Sequence, residues 1–516
     1  MTVKHIDAST LTHDQHYSAD VVIIGSGAGG GIAAEQLTAA GFQVLLVEEG
    51  AWYQREDFVM EERWAYPQLY QEGAARKTRD QAISILQGRT VGGSTTVNWT
   101  SSFRTPAATL DYWQQQFGLA FQAEQSLIPY FALAEQRLNM QPWSLAPNAN
   151  NQQLQRGCTA LGWHSGVISR NVNGCANLGY CGFGCPINAK QSMLVSTIPA
   201  ALAQGATLLS RLSVRQLNWQ GNTIHSLSAL PVNAYFQPQK GINVTISAKH
   251  YIVAAGAIGS PALLLRSKVP DPSKRLGKHT YLHPSVISGA IFDERIAGHQ
   301  GAPQSIYSDQ FVWPQDKEHI GYKLEVPPVH PVLMATKLTG FAEQHAQLMQ
   351  QFDHLQVTIA LLRDGFHPDS QGGHVQLDQF EQPLLDYPIS DYLWQGMRKA
   401  LLSMAELQFA AGAKQVLPIH HDAQAYRSWS EARQAIHNLA LKPLKQTVVS
   451  AHVMGGCNMS AKEQDGVVDS FGRHFQLENL SIFDGSILPS SLGVNPQLTI
   501  YALVWRNCQQ LIQQLT

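Results

Sequence analysis

The chain has 516 residues, 44% hydrophobic and 14% charged, with a formal net charge of −2. That length allows several domains, and the near-neutral balance excludes the basic footprint that nucleic acid or an anionic membrane surface requires. No run approaches the roughly 20 apolar residues of a spanning helix, and six cysteines are too few for a disulfide scaffold in a chain this long.

Met1 to Asp20 is polar and lacks the basic-then-apolar layout of a secretory signal. A cytoplasmic protein is expected, or one held at the inner membrane through a partner. Ala19 to Gly50 read ADVVIIGSGAGGGIAAEQLTAAGFQVLLVEEG. Val21 to Ile24 is a short apolar run suited to a buried parallel strand. Gly25, Gly27 and Gly30 then fit G-x-G-x-x-G, Ile32 to Ala40 is rich in helix formers, and Gly41 can end that helix. Val44 to Val47 is a second strand, ending at Glu48, 23 residues after Gly25. Together these form the βαβ dinucleotide fingerprint in its required context. Gly25 permits the tight turn, Gly27 lets the backbone approach a pyrophosphate, and Gly30 lets helix and strand pack closely. The helix N-terminus favours phosphate, and Glu48 can accept from ribose hydroxyls. The motif by itself does not separate FAD from NAD.

Residues 88–98 read GRTVGGSTTVN. Gly92 and Gly93 leave room for backbone beside a flat ligand. The segment resembles the second flavin segment of the glucose–methanol–choline (GMC) oxidoreductases, G-R-x-x-G-G-S-x-x-x-N, at Gly88, Arg89, Gly92, Gly93, Ser94 and Asn98. The resemblance implies FAD, with this loop along the pyrophosphate and the flavin ring. It also places Val214, on a strand-like run, near the adenine. Tyr251 to Ser267 read YIVAAGAIGSPALLLRS and resemble the second family signature, a strand, G-A-x-x-S-P and a leucine-rich helix. Pro261 would stand in that helix's first turn.

Residues 174–193, GCANLGYCGFGCPINAKQSM, hold Cys175, Cys181 and Cys185 within eleven residues. The spacing is not that of paired C-x-x-C zinc units. Clustered thiolates between glycines, with a proline after the last, suit an iron–sulfur centre. The loop resembles that of bacterial sugar dehydrogenase flavoprotein subunits, which implies a [3Fe-4S] cluster on these three cysteines. The alternatives are a metal-free glycine-rich loop or a local disulfide. A cluster would carry electrons to a partner protein or quinone.

The last 70 residues resemble the family's closing block. His452 stands in AHVMGGCNM, followed by Asp484-Gly485 and Asn495-Pro496; this version looks most like the cholesterol-oxidase branch, and the Cys-rich loop also occurs in long-chain alcohol oxidases. The resemblance assigns His452 to the substrate's hydroxyl proton, a task that suits a neutral imidazole. Asn495 would hydrogen-bond the substrate oxygen. Asp484 and Gly485 would lie against FAD. The helix after Pro496 would offer N–H groups to the reduced ring. His283, His420 and His421 are read as structural.

The expected fold is α/β: a Rossmann-like FAD-binding domain (1–105, 186–290 and 450–516) with an inserted α+β substrate domain on an antiparallel sheet (106–185 and 291–449). Residues 354–362, HLQVTIALL, are strand-like, and Pro142 to Asn151 is loop-like. Phe311, Trp313, Tyr322, Phe341 and Trp394 are candidate pocket aromatics. The expected function is an FAD-dependent dehydrogenase for an apolar or aromatic alcohol. The alternatives are an oxygen-dependent alcohol oxidase, a non-redox lyase, and a flavin-bound structural subunit.

Overall fold

The computed structural model describes residues 4–122, 126–315 and 318–516. Strand Gln15–Ile24 enters the core at Val21–Ile24, where all four side chains are buried. A strand covered on both faces needs apolar residues at every position. The chain turns into helix Ala28–Ala39 and returns as Val44–Val47, parallel to the first strand with Val21 opposite Val44 and Ile24 opposite Val47. The helix starts four residues before the expected Ile32, because the glycine run itself forms its first turn.

The parallel core runs Lys4–Asp7, Thr207–Ser210, Val44–Val47, Gln15–Ile24 and Val244–Val253. Val244–Val253 has two partners along one edge. Its first residues pair antiparallel with the meander of Thr223–Pro231 and Leu212–Gln220, and its last three pair parallel with Leu480–Ile482. That last pairing brings the C-terminal segment beside the N-terminal turn. Helix Gly256–Arg266 follows Val244–Val253 and begins ahead of Pro261, which lies inside the helix and not in its first turn.

A second, mainly antiparallel sheet runs Ile83–Ile85, Val448–Ser450, Ser285–Ile291, Leu355–Leu362, Tyr322–Glu325, Ile306–Phe311 and Gly166–Val167, with Gln415–Pro418 also on Ser285–Ile291. Successive side chains in a strand face opposite ways, and this sheet uses both faces. Val286, Ala290, Ala360, Leu362, Tyr322 and Leu324 pack in the core that contains helix Asp391–Ala410. Ile287, Ile291, Val357, Ile359 and Leu361 form a separate apolar layer. The expected α/β class with an antiparallel second sheet is what the chain builds. One local expectation differs: within 142–151, Asn148 already caps helix Ala149–Leu161 by accepting from the Asn151 N–H.

The turn at Gly25 sets how closely the first helix approaches the sheet. Gly25 has φ +102°, and a methyl group there would lie 2.3 Å from the Ala254 carbonyl oxygen. At Gly30 a methyl would lie 1.8 Å from the Gly25 carbonyl oxygen, whereas at Gly27 its nearest neighbour is the Gly93 Cα at 3.9 Å. Gly30→Ala is therefore expected to lower unfolding free energy by about 1–3 kcal/mol or more, and Gly27→Ala to leave it within about 0.5 kcal/mol. Urea denaturation of both variants checks this pair.

Candidate active site

A cavity of about 910 Å³ lies between the parallel core and the second sheet. Its wall includes the Gly25–Gly29 turn, Glu48, Val214 and residues 254–257, with Asp484 bonded to Gly256; Arg89, Gly93, Ser94 and Asn98; and His452, Gly485, Asn495 and Pro496. Of the residues expected at the site, Gly30 and Gly92 stand off the wall. Gly30 acts through packing. Gly92 donates its N–H to the Ser26 hydroxyl and ties the second segment to the first turn.

Two buried carboxylates at the cavity, Glu48 and Asp484, are held by short bonds from the chain. Glu48 accepts from the Ser26 N–H (3.0 Å), the Ser26 hydroxyl (2.6 Å) and the Gly50 N–H (2.8 Å). Asp484 accepts from the Gly256 N–H (2.8 Å), the Ser260 hydroxyl and the Ser486 N–H (2.7 Å). Burial raises the pKa of both groups, and these donors oppose it. Asp484 thus clamps the start of helix Gly256–Arg266 to the C-terminal segment, a task the sequence alone did not indicate. Arg89 stacks on the Phe236 ring at 3.4 Å and leaves its buried Nε without a hydrogen-bond partner. Asn98 donates to Gln497 (2.8 Å), whose own amide donates to the Ser101 carbonyl (2.8 Å).

At the far end His452 and Asn495 come together, with His452 Nε2 3.5 Å from Asn495 Nδ2. The carboxamide is oriented from behind by a buried ion pair. Asn495 Nδ2 donates to Glu325 Oε2 (3.2 Å), and Lys323 Nζ lies 3.5 Å from Asn495 Oδ1 and 3.1 Å from Glu325 Oε1. Gln304 donates to Glu325 Oε2 at 2.6 Å. Glu325 Oε1 has no hydrogen bond, so the ammonium contact is electrostatic and out of line for one. Lys323 sits 3.0 Å from the centroid of the Phe103 ring. Burial brings its pKa down to about 8, and Glu325 works against that shift.

His283, expected to be architectural, is bonded directly to His452. Their Nδ1 atoms are 2.9 Å apart, and His283 Nε2 accepts from the Gly493 N–H at 3.3 Å. Accepting at Nε2 leaves the proton of a neutral His283 on Nδ1, where it is donated to His452 Nδ1. Neutral His452 then carries its own proton on Nε2. Burial, with a smaller push from the Lys323 ammonium, takes the His452 pKa to about 3, so the ring is neutral across the ordinary pH range.

Lys323 and Glu325 were missed in the sequence. A lysine and a glutamate two apart in an apolar strand, YKLE, must share one sheet face, and that was the available signal. His283 was noticed and read as structural, because its partner lies 169 positions away and no linear pattern shows the bond.

One expectation is corrected and another gains no support. None of the five candidate aromatics lines the cavity. Tyr322 and Trp394 belong to the core on the opposite face of the sheet, Phe311 stacks on Tyr322, Trp313 covers Arg363, and Phe341 is 88% exposed. Other aromatics, Tyr70, Trp99 and Phe236, do line it, and the second sheet contributes the apolar Ile359, Leu361 and Val449. The structure gives no support to an iron–sulfur site on Cys175, Cys181 and Cys185. All six cysteines are free thiols, and among the described residues no three thiol, imidazole or carboxylate groups converge to hold a metal. The loop is shaped by bonds to its backbone. Lys190 Nζ donates to the Thr96, Asn98 and Cys181 carbonyls (2.6, 2.8 and 2.6 Å), and the Tyr70 hydroxyl donates to Gly182 (2.7 Å).

The cavity fits a dinucleotide-sized ligand. Gly27 leaves space where a side chain would intrude, and the N-termini of helices Ala28–Ala39 and Gln497–Leu515 both open on it. Among the described residues no helix is long and apolar enough to cross a membrane.

Comparison with known proteins agrees with this architecture. Two family models described as GMC oxidoreductase match residues 66–285 and 368–503. An uncharacterized GMC-type oxidoreductase of Sinorhizobium fredii is 30% identical over 96% of this chain and 95% of its own length. A long-chain-alcohol oxidase of Arabidopsis thaliana is 26% identical over 94% of this chain and 65% of its own length. Among solved structures, pyridoxine 4-oxidase from Mesorbium loti superposes with a TM-score of 0.69 at 16% identity, covering 95% of this chain and 98% of that one. A formate oxidase of Aspergillus oryzae gives 0.70 at 15%, covering 98% and 100%. The chain therefore belongs to the GMC oxidoreductase family, the FAD flavoproteins that act on CH–OH donors.

Proposed function

We propose that this protein oxidises the carbinol group of an apolar alcohol to a carbonyl with FAD bound in the cavity described above. The observation that carries the reading is the meeting of His452 and Asn495 at 3.5 Å on a cavity wall that also includes Ile359, Leu361 and Val449. The relatives named long-chain-alcohol oxidases support an aliphatic substrate.

Gly25, Gly27, Glu48 and Val214 would hold the nucleotide end of the cofactor. Arg89, Gly93, Ser94 and Asn98 would hold its middle, and Asp484, Gly485 and Pro496 its ring end. FAD supplies the hydride acceptor. The protein's own contribution is to hold the oxygen. The Nε2–H of His452 and the Nδ2–H of Asn495 are two donors facing one point, and such a pair favours the oxygen as negative charge grows on it. Ile359 and Leu361 keep water from that point, and fixed alignment of the carbinol carbon supplies much of the acceleration. The hydroxyl proton needs another acceptor, because His452 carries its own proton at Nε2. Glu325, bonded to the far side of the Asn495 carboxamide and paired with the Lys323 ammonium at 3.1 Å, is the carboxylate behind that point, and a water between them would have to carry the proton.

The expectation of a protein or quinone acceptor rested on an iron–sulfur centre in the cysteine loop. The relatives named long-chain-alcohol oxidases favour molecular oxygen instead, and peroxide formation during alcohol turnover in air tests this.

Three outcomes are expected. His452→Ala slows anaerobic flavin reduction by roughly a hundredfold or more while FAD stays bound; near-normal reduction, read by stopped-flow absorbance, removes the assignment. Gly27→Ala keeps the fold but loses most of its FAD on gel filtration, since the added methyl stands where the cofactor backbone would pass. Flavin reduction falls as pH rises through about 8, where Lys323 loses its charge; His452 stays neutral and adds no inflection between about pH 5 and 7. Lys323→Met lowers the plateau and removes the limb near pH 8.

A further inference from the structure

The second sheet carries an apolar layer that begins at the active site and continues beyond it. On the cavity side of the sheet the first row is Lys323, Leu361, Ser285 and Val449, and the next is Glu325, Ile359, Ile287 and Ile419. Beyond these lie Val357 and Leu417 on either side of Gly289, then Leu355 opposite Ile291. Leu361, Ile359 and Val449 line the cavity and also belong to the layer. The layer is therefore continuous with the catalytic end and polar only there. At about 3.4 Å per residue it extends roughly 20 Å from Leu361 to Leu355.

Its cover is mainly residues 331–350, containing the short helices Pro331–Ala335 and Glu343–Gln350, with Val329 and Phe352 packed beside them. Met334 and Leu338 are the buried side chains that this stretch presses onto the layer. The rest is more lightly held, with Leu348 and Met349 only partly buried against the layer. No residue of Glu343–Gln350 is buried, and Val332 and Phe341 are exposed. Its polar anchors to the body are the Glu62 carboxylate, accepting from the Val332 and Leu333 N–H groups (2.7 and 2.8 Å), and Lys337 Nζ on the Ser84 hydroxyl (3.2 Å). A methionine can change shape and yield its place to another apolar chain at small cost.

We propose that this layer is the alkyl-chain subsite of a long-chain aliphatic alcohol, and that residues 331–350 are a lid whose Met334 and Leu338 occupy the subsite when the lid is shut. The inference rests on the reading of the protein as an alcohol oxidoreductase and adds where the chain lies and what selects its length. The carbinol end meets His452 and Asn495, and the chain runs over Ile359, Ile287 and Val357 toward Leu355 as the lid side chains withdraw.

The test uses full-length holoenzyme. Anaerobic flavin reduction is measured with 1-butanol, 1-octanol and 1-dodecanol, and binding of the unreactive dodecanamide by calorimetry. The second-order rate constant is expected to rise with chain length, by up to about fourfold per added methylene. Val357→Trp, which blocks the layer at mid-length, is expected to depress the dodecanol-to-butanol ratio at least tenfold. Met334→Ala, which thins the lid contact, is expected to tighten dodecanamide binding by threefold or more, and it answers the question if the tryptophan variant does not fold. A flat chain-length profile with normal flavin reduction overturns the subsite alone. No reduction by any alcohol overturns the alcohol reading, and dodecanamide binding still decides the subsite: binding weakened by Val357→Trp or tightened by Met334→Ala supports it, and binding unchanged in both, or absent, overturns it.

Discussion

The architecture depends on how closely the first helix can approach the strands on either side of it. At Gly29 a methyl group would lie 1.6 Å from the Phe483 carbonyl oxygen, and at Gly30 1.8 Å from that of Gly25. With bare backbone at both places, helix Ala28–Ala39 settles against the first strand and the C-terminal segment at once. Phe483 is then followed by Asp484, whose carboxylate grips the start of helix Gly256–Arg266. Three turns from distant parts of the chain thereby meet at one end of the cavity, and two helix N-termini face into it.

At the other end the constraint is electrostatic. Lys323 and Glu325 are both almost fully buried, at 2% and 0% side-chain exposure. Removing two charges from water costs several kcal/mol per ion unless each is well paired. The pairing here is shared among Gln304, Asn495 and the Phe103 ring, so loss of any one leaves a charge partly uncompensated. A buried pair of this kind is weak evidence for stability. Its consequence is geometric: the Asn495 amide has one orientation, with its oxygen toward lysine and its N–H toward glutamate. His283 does the same for His452 by fixing which nitrogen carries the proton. The reacting oxygen thus meets donors already aligned.

One sheet serves both the core and the site because its two faces differ. The residues that alternate with the layer pack against helix Asp391–Ala410, whereas the layer itself continues into the cavity. This alternation also explains why the candidate aromatics failed as pocket residues. Tyr322 and Leu324 share the core face, so their neighbours Lys323 and Glu325 must share the other. Reading aromatic content without assigning faces pointed to the wrong side of the sheet. The cysteine motif is limited for a related reason. Spacing along a loop does not fix where the sulfurs point, and Lys190 and Tyr70, from outside the cysteine motif, shape that loop.

The sequence by itself determined the elements whose signals are local. The strand–turn–helix of residues 21–40, the strand ending at Glu48 and the second glycine segment were legible because glycine placement and apolar runs act within a few residues. So was the closing block with His452 and Asn495, through its resemblance to a family. The tertiary structure decided what depends on partners far apart in the chain: the His283–His452 bond, the Lys323–Glu325 pair behind Asn495, the clamp made by Asp484, and the apolar layer as a continuation of the cavity. Hydrogen bonds and burial are properties of neighbours in space, and a linear pattern of residue types does not record which neighbours the fold supplies.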